Sequence, residues 1–365
     1  MSDGGLRVVL AGGGTGGHVI PALALAEEIA SRGGTARFVG TPDRLEARLV
    51  PEAGFDIDFI SVRPLAGGGV LGLIRGLASS PSAVWRSTSL LRRFRPDVVI
   101  GVGGYVAGPV VLAARILRLP CALLEQNATV GLTNRILARV VDRAFVSYAE
   151  TLDAFPRGRA LLTGNPVRSS IRRAASPARR SRDRGALGVL VMGGSQGALT
   201  VDMRVPRALE MLSSKIEMEV LHQCGGDRVR QVEQAYQRAG VPCRVVSFIE
   251  DTAAAYEDAD LVIARAGATT VNELAAMGLP AVFLPYPHHA DRQQQRNAAP
   301  LAAAGAAIVL DEKTTSSKDL AAAVERFATD PALRERASTS ARSLGRPRAA
   351  EAIADELERI TEGGK

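Results

Sequence analysis

The chain is poor in the residues that most often reveal a function by their spacing. Its 365 residues include three cysteines, four histidines and one tryptophan, and aromatic residues make up only 4%. The cysteines, Cys121, Cys224 and Cys243, are odd in number and too far apart for a zinc motif, so we expect buried thiols in a reducing compartment. The low aromatic content also argues against base stacking on single-stranded nucleic acid.

Long apolar runs are missing as well. No stretch approaches the roughly 20 apolar residues that span a bilayer. The first residues enter a glycine-rich turn before the apolar core of a signal peptide can develop. We therefore expect a cytosolic protein that can still lie on a membrane. With 46% hydrophobic residues in this length, it should form two ordered domains.

Acidic residues are scarce in two regions. Nine arginines lie between Arg157 and Arg184 against one acid, and none of the residues between Asp58 and Asp97 is acidic. With a net charge of +7, the sign alone does not choose between nucleic acid, anionic lipid and phosphorylated substrates. The second region also carries apolar residues, which suits an anionic membrane surface, although an ordinary packed helix is as good an interpretation. These apolar residues are Val70, Leu71, Leu73, Ile74, Leu77 and Trp85.

Strand-like apolar runs alternate with helical stretches along the whole chain, which predicts an α/β fold with parallel sheets. Both halves begin with a strand, a glycine-rich turn and a helix, so we predict two Rossmann-like domains. We expect an N-terminal domain over 1–165 joined by a C-terminal helix over 348–363, a linker over 166–185 and a C-terminal domain over 186–345. The predicted helices include 21–32, 44–53, 107–117, 203–213, 227–239 and 269–277.

The first glycine turn, residues 12–17, spells G-x-G-x-x-G after a strand. A dinucleotide site would need an acid about 20 residues later, at the end of the second strand. That strand ends in Gly40-Thr41, so the acidic residue that an NAD site requires is missing there. Small residues at a helix N-terminus still let phosphate or sugar oxygens approach the backbone. His18 would lie at the start of that helix, where it either takes part in catalysis or only packs locally.

Two further turns share this geometry. The second glycine turn, residues 193–198, offers the Ser195 hydroxyl and the Gln196 amide, or is only a tight connection. In ARAGATTVNELAAMGLP a helix beginning near Thr269 suits a diphosphate, and Glu273 could accept ribose hydroxyls. Residues 270–273 also spell a capping box, in which Glu273 would only satisfy the helix terminus.

The remaining polar motifs are less specific. Gln293, Gln294 and Asn297 could grip sugar hydroxyls or form a solvated helix face. Asp258-Ala259-Asp260 spells D-x-D but more simply ends a helix, and the adjacent pair at 288–289 cannot easily share a metal ion. We expect no metal held by side chains and no cofactor.

Seven motifs in order resemble the MurG family of peripheral membrane glycosyltransferases, which convert lipid I to lipid II in bacterial peptidoglycan synthesis. The match covers nearly the whole chain. It implies the GT-B fold, in which two Rossmann-like domains with parallel sheets face each other across a cleft. The motifs are GGGTGGHVIPALALAEEI, GVGGYVAGPV, LLEQNATVGLTNRIL, TGNPVR, MGGSQGA, ARAGATTVNELAAMGLPAVFLPYP and DRQQQRNA.

The resemblance implies two sets of contact residues. UDP-N-acetylglucosamine would be held by Thr15, Gly16, Gly17, Asn127, Arg168, Ser195, Ile249, Ala268, Thr269, Thr270, Val271, Glu273, Gln293 and Gln294. Of these, the Ile249 backbone would meet uracil, Glu273 the ribose, Ser195 and residues 268–271 the diphosphate, and Gln293 or Gln294 the sugar. Lipid I would lie against Gly13, Gly14, Gly103, Gly104, Tyr105 and Asn134.

The implied reaction is an inverting, metal-independent transfer to the 4-hydroxyl of the muramoyl sugar, with His18 as the base. The implied location is the cytoplasmic face of the cell membrane, where cell-wall or division machinery are potential partners. The chain departs from the family at Asp202, where asparagine is usual, and at Arg44, where glycine is usual.

Two other functions compete with this one. A UDP-sugar epimerase of similar fold would have a donor site without a lipid acceptor, but the apolar and basic region and the missing acidic cluster argue against it. A nucleic-acid-binding protein is suggested by the basic charge, yet basic and aromatic residues are not interleaved. We therefore expect no nucleic acid partner.

Overall fold

The computed structural model describes residues 5–62, 81–175, 185–194, 197–287 and 291–362. The chain divides into two compact units. The first unit comprises Met1–Ser169 and Pro347–Lys365, and the second comprises Ser170–Arg346. Each unit is built on its own parallel sheet.

The sheet of the first unit has seven parallel strands in the order β3-β2-β1-β4-β5-β6-β7. Its central strand β4 is buried along its whole length, as expected where helices cover both faces of a parallel sheet. The strands are β1 (Arg7–Gly12), β2 (Thr35–Gly40), β3 (Asp56–Phe59), β4 (Val98–Gly103), β5 (Cys121–Glu125), β6 (Arg143–Val146) and β7 (Ala160–Leu162). The helices are α1 (Gly16–Ser31), α2 (Glu46–Glu52), α3 (Pro81–Phe94), α4 (Gly104–Ile116) and α5 (Leu132–Leu137).

The sheet of the second unit has six parallel strands in the order β10-β9-β8-β11-β12-β13. The strands are β8 (Leu187–Met192), β9 (Met218–Gln223), β10 (Cys243–Val246), β11 (Leu261–Ala264), β12 (Ala281–Phe283) and β13 (Ala307–Val309). The helices are α6 (Ser169–Ala174), α7 (Leu199–Glu210), α8 (Val229–Ala239), α9 (Thr252–Asp258), α10 (Ala268–Met277), α11 (Gln293–Ala303), α12 (Ser317–Ala328) and α13 (Pro331–Leu344). Both sheets confirm the predicted fold class of two Rossmann-like α/β domains.

The last helix, α14 (Ala349–Glu362), belongs to the first unit. Its buried residues Ile353 and Leu357 join the core formed by β1 and α1. Arg32, at the end of α1, forms ion pairs with Asp355 at 2.6 Å and Glu358 at 3.3 Å. The first unit is therefore completed by residues from both ends of the chain.

Each sheet contains one position where the strand order reverses direction. In the first unit this switch point lies between β1 and β4, and in the second it lies between β8 and β11. Open α/β sheets bind their ligands at the carboxyl ends of the strands beside such a point. The topology therefore selects two regions, one in each unit, as candidate binding sites.

The three cysteines are free thiols. Burial raises the pKa of the Cys121 and Cys243 thiols to about 12 and that of Cys224 to about 11. Inert thiols were expected from their spacing. No helix among the described residues is long and apolar enough to cross a bilayer.

Candidate active site

The first glycine turn lies at the switch point of the first unit. It follows β1, and Gly12 pairs with Gly103 at the end of β4 after a shift in register. Gly103 and Gly104 have φ angles of +106° and +77°, which glycine adopts far more readily than other residues. Helix α1 then begins at Gly16, inside the turn. The turn therefore brings the free N–H groups of a helix start to the switch point.

The His18 side chain is half-buried in the first turn of α1. Its Nδ1 lies 3.3 Å from the Thr15 hydroxyl, and a Cβ at Gly103 would stand 2.8 Å from its Nε2. Burial lowers the pKa of the imidazole, while a hydrogen bond to the Gly13 carbonyl and the charge of Glu46 partly oppose that shift. A neutral ring that donates one N–H to a carbonyl keeps a lone pair on its other nitrogen. Burial therefore favours the neutral imidazole, which is the form that can accept a proton.

Glu46 is a buried residue of this region that motif analysis missed. Its carboxylate accepts hydrogen bonds from the Gly14 N–H at 2.8 Å, the Thr41 N–H at 3.0 Å and the Thr41 hydroxyl at 2.8 Å. A side chain at Gly13 would collide with it. Glu46, at the start of α2, therefore binds the glycine turn itself. Nothing in GTPDRLEARL distinguishes Glu46 from a surface residue, so only the fold reveals it.

Glu125 organises the next loop of the first unit in a similar way. Its carboxylate accepts the Asn127 N–H at 3.0 Å, the Gly131 N–H at 2.9 Å and the Asn134 side-chain amide at 2.9 Å. Burial raises the pKa of Glu125, and these donors partly offset the effect. Asn134 is itself buried and also donates to the Leu124 carbonyl at 3.1 Å.

The other predicted contacts of the first unit lie at its accessible edges. Tyr105 is 50% exposed at the start of α4. Asn127 is half-buried beside Glu125. Arg168 is half-buried at the end of the GNPVR motif, two residues before the second unit begins. Thr15, Gly16 and Gly17 form the cap and first turn of α1.

The second glycine turn follows β8 at the switch point of the second unit. Gly193 donates to the Gln223 carbonyl at 3.1 Å, and the Gln223 amide donates to the Gly194 carbonyl at 3.1 Å. Gly194 and Gly197 have φ angles of +86° and +69°. Ser195 and Gln196 lie outside the described residues. Gln223, at the end of β9, therefore holds the N-terminal flank of the turn.

Helix α10 starts on the other side of this switch point. Its cap is Gly267 and its first residue is Ala268, so residues 270–273 lie within the helix and form no capping box. Glu273 is buried and accepts a hydrogen bond from the Tyr256 hydroxyl at 3.0 Å. The capping-box interpretation of Glu273 is wrong, because the helix begins before the motif.

The residues next to α10 differ in exposure. Ala268, Thr269 and Val271 are buried, whereas Thr270 is half-buried. Ile249 is half-buried after β10, and the neighbouring Phe248 is 62% exposed. The start of α10 therefore offers mainly its backbone N–H groups to a ligand.

Gln293 and Gln294 open helix α11 and are both half-buried. The Gln294 side-chain carbonyl accepts the Tyr286 N–H at 2.8 Å. Asn297 is buried, and its amide donates to the Ala266 carbonyl at 3.3 Å. His288 and His289 lie outside the described residues, as do residues 63–80 of the apolar and basic region.

The apparent D-x-D motif has a structural role. Helix α9 ends at Asp258, and the Asp260 carboxylate accepts the Gly188 N–H at 2.8 Å. Within the described ranges, no group of three His, Cys, Asp or Glu side chains is arranged to hold a metal ion.

Two family descriptions match the chain along most of its length. The N-terminal domain of glycosyltransferase family 28 matches residues 8–146, and the C-terminal domain of that family matches residues 188–354. The first match begins in β1 and ends with β6, the second begins in β8 and ends in α14, and each includes one glycine turn.

Individual relatives agree with the family match. The chain is 45% identical over 355 residues to the UDP-N-acetylglucosamine–N-acetylmuramyl-(pentapeptide) pyrophosphoryl-undecaprenol N-acetylglucosamine transferase of Anaeromyxobacter sp. (strain Fw109-5), covering 96% of this chain and 92% of that protein. The crystal structure of Acinetobacter baumannii MurG matches with a TM-score of 0.79 and 32% identity, over 97% of this chain and 99% of that one.

A solved UDP-GlcNAc 2-epimerase from Neisseria meningitidis has a similar fold. It matches with a TM-score of 0.67 over 97% of this chain and 100% of that one, but at 13% identity. At that identity the likeness extends to the fold alone.

Proposed function

The chain belongs to glycosyltransferase family 28 and, within it, to the MurG family, and from this membership we propose that it transfers N-acetylglucosamine from UDP-N-acetylglucosamine to lipid I in peptidoglycan synthesis. The observation that carries the proposal is the position of His18. A neutral imidazole at the switch point of the first unit, packed against Gly103, suits a base that approaches a sugar hydroxyl.

We propose an inverting displacement at the anomeric carbon. The 4-hydroxyl of the muramoyl sugar attacks C1 of N-acetylglucosamine, its proton passes to His18, and the bond from C1 to the diphosphate oxygen breaks. Charge develops on the departing UDP as that bond lengthens. The N-terminus of α10 and the Arg168 guanidinium would stabilise this charge without a metal ion.

In this proposal the donor binds beside the switch point of the second unit. Ile249 would meet uracil, Glu273 the ribose, and Ser195 with residues 268–271 the diphosphate. We assign the sugar contact to Gln293, because the side-chain carbonyl of Gln294 already accepts the Tyr286 N–H. The acceptor would lie along the first glycine turn and Gly103, Gly104 and Tyr105.

Incubation with labelled UDP-N-acetylglucosamine, with and without a short-chain lipid I analogue, tests the function. We expect sugar transfer only when the acceptor is present, a β-linked product, and no loss of rate with EDTA. Release of free sugar or of an epimer regardless of acceptor would contradict the proposal. A variant with His18→Ala should bind UDP as the unsubstituted protein does and lose transfer.

We also propose that the protein lies peripherally on the cytoplasmic face of the membrane. Trp85 is 71% exposed on α3, a helix that carries Arg92 and Arg93 in its last turn and no acid in its first. Because Trp85 is the single tryptophan of the chain, its fluorescence reports this helix directly. Vesicles with phosphatidylglycerol should shift its emission to the blue, reversibly with salt, and neutral vesicles should not. If anionic and neutral vesicles shift the Trp85 emission equally, electrostatic attraction does not contribute to membrane binding.

A further inference from the structure

Asp202 is a fully buried carboxylate in the first turn of α7, the helix that follows the second glycine turn. Its Oδ2 accepts a hydrogen bond from the Arg228 Nε at 2.7 Å, and its Oδ1 lies 3.3 Å from the His222 Nε2. The other ring nitrogen of His222 lies 3.0 Å from the Tyr236 hydroxyl. These contacts keep the pKa of Asp202 below its usual value even though burial alone would raise it. The structure thus holds a negative charge beside a helix start.

The Arg228 guanidinium lies against the backbone of two glycines. A Cβ at Gly197 or at Gly225 would collide with its terminal Nη2. Only 18% of the Arg228 side chain is exposed, and it also approaches the Asp227 carboxylate at 3.3 Å. The ion pair with Asp202 therefore fixes a cation directly beside the second glycine turn.

This arrangement has an electrostatic consequence for any anion bound at the turn. The free N–H groups at the start of α7 attract negative charge, but a carboxylate in the first turn repels it. A buried charge that loses its partner is strongly unfavourable, so Asp202 depends on Arg228.

We propose that Asp202 and Arg228 form a compensated pair in which Arg228 is a positioning residue for the diphosphate of a nucleotide donor. Arg228 holds the second glycine turn at Gly197 and cancels the charge that Asp202 would otherwise direct at the phosphates. The identity of the donor rests on the proposed function. The role of the pair rests on the contacts among Asp202, Arg228, Gly197 and Gly225.

The test uses the full-length chain and the variants Arg228→Gln, Asp202→Asn and the double variant. Binding of UDP and of uridine is measured by calorimetry, with donor KM and kcat and thermal unfolding alongside. Arg228→Gln should weaken UDP binding about tenfold and uridine binding little, because uridine carries no phosphate. Donor KM should rise with kcat nearly unchanged. The double variant should recover most of the UDP affinity, because its two substituted amide side chains can face each other without a buried charge.

Arg230→Gln is the matched control, since Arg230 is an exposed arginine in the first turn of α8 and its loss changes the net charge equally. It should leave UDP binding unchanged. Equal weakening of UDP and uridine in Arg228→Gln, or no recovery in the double variant, would overturn the role of the pair. If the unsubstituted protein itself fails to bind UDP, the proposed function falls and this inference falls with it. If that protein binds UDP and Arg228→Gln binds it equally well, only the inference falls.

Discussion

The imidazole of His18 packs on the backbone of Gly103, so closely that a single added Cβ would stand 2.8 Å from its Nε2. Helix α1 and strand β4 contribute one residue each to this contact, which lies at the switch point of the first sheet. The position of the proposed base thus depends on a glycine 85 residues away in the sequence.

Gly103→Ala should reduce sugar transfer about a hundredfold while UDP binding is kept, because a displaced base costs rate without touching the nucleotide. Transfer assays and calorimetry with UDP measure the two effects. Gly54→Ala is the control, since Gly54 has a similar positive φ of +81° and a Cβ there would meet no described atom within 4 Å. If Gly103→Ala and Gly54→Ala lose sugar transfer equally, backbone strain alone explains the loss.

The pH dependence of kcat/KM should show an acid limb below pH 6.5, the ordinary pKa of histidine. The base acts only when neutral, and burial lowers the pKa of His18, so activity should persist until the pH falls below that value. Initial rates between pH 5 and 8, with saturating acceptor and donor well below its KM, would measure the limb. A limb above pH 6.5 would contradict a base held in this environment.

Glu46→Gln should lower the free energy of unfolding by about 1–3 kcal/mol. The side-chain NH2 group of the glutamine is a donor, so it would face the backbone N–H of Gly14 or Thr41 and leave that N–H without its acceptor. It should also move the acid limb to lower pH, since the Glu46 charge raises the pKa of His18. Urea titration and the pH profile measure these two effects.

Thr41→Val separates the two effects of Glu46. It removes the hydroxyl bond to Glu46 and keeps the carboxylate, so we expect a loss of about 1 kcal/mol and an unmoved acid limb. If the limb moves equally in both variants, the charge of Glu46 does not act on His18.

Leu357→Ala should destabilise the first unit by about 2–5 kcal/mol, because this side chain of α14 is fully buried against the core of β1 and α1. Urea unfolding followed by Trp85 fluorescence reports that unit selectively, since the chain has no other tryptophan. Leu344→Ala removes the same atoms from a side chain that is 42% exposed in the second unit, and should leave the Trp85 transition in place. A shift of similar size with Leu344→Ala would show that the Trp85 signal is not specific.

Strands were predictable from the sequence because buried parallel strands are short, continuous apolar runs. Most of the strands coincide with such runs, as β1 does with RVVLAG and β4 with VVIGVG, whereas β3 is the alternating and partly exposed DIDF. Helix starts were less predictable at the glycine turns. Residues 21–32 and 203–213 were expected to be helical, yet α1 begins at Gly16 and α7 at Leu199. Glycines look like helix breakers in a sequence, whereas Gly16 and Gly17 form the first turn of α1, where free N–H groups are useful. Helix α7 begins directly after its glycine turn, with Ala198 as its cap.

The residues of the candidate site were predictable only where a recognisable sequence motif directly follows a predicted strand. His18 and Glu273 follow strand ends in recognisable motifs, so the sequence locates them. Glu46 and Arg228 act through partners that are distant in the sequence, and their local sequence resembles an ordinary surface. Their roles depend on which backbone groups the tertiary fold brings to them, and one sequence carries no record of those contacts.

The return of α14 to the first unit makes the second unit an insertion between two parts of its neighbour. During synthesis the strands of the first sheet are all made before residue 170, but the core of β1 and α1 lacks its contacts with Ile353 and Leu357 until α14 has been made. The second unit is continuous in the chain and can finish first. The domain that is begun first is therefore the one that closes last.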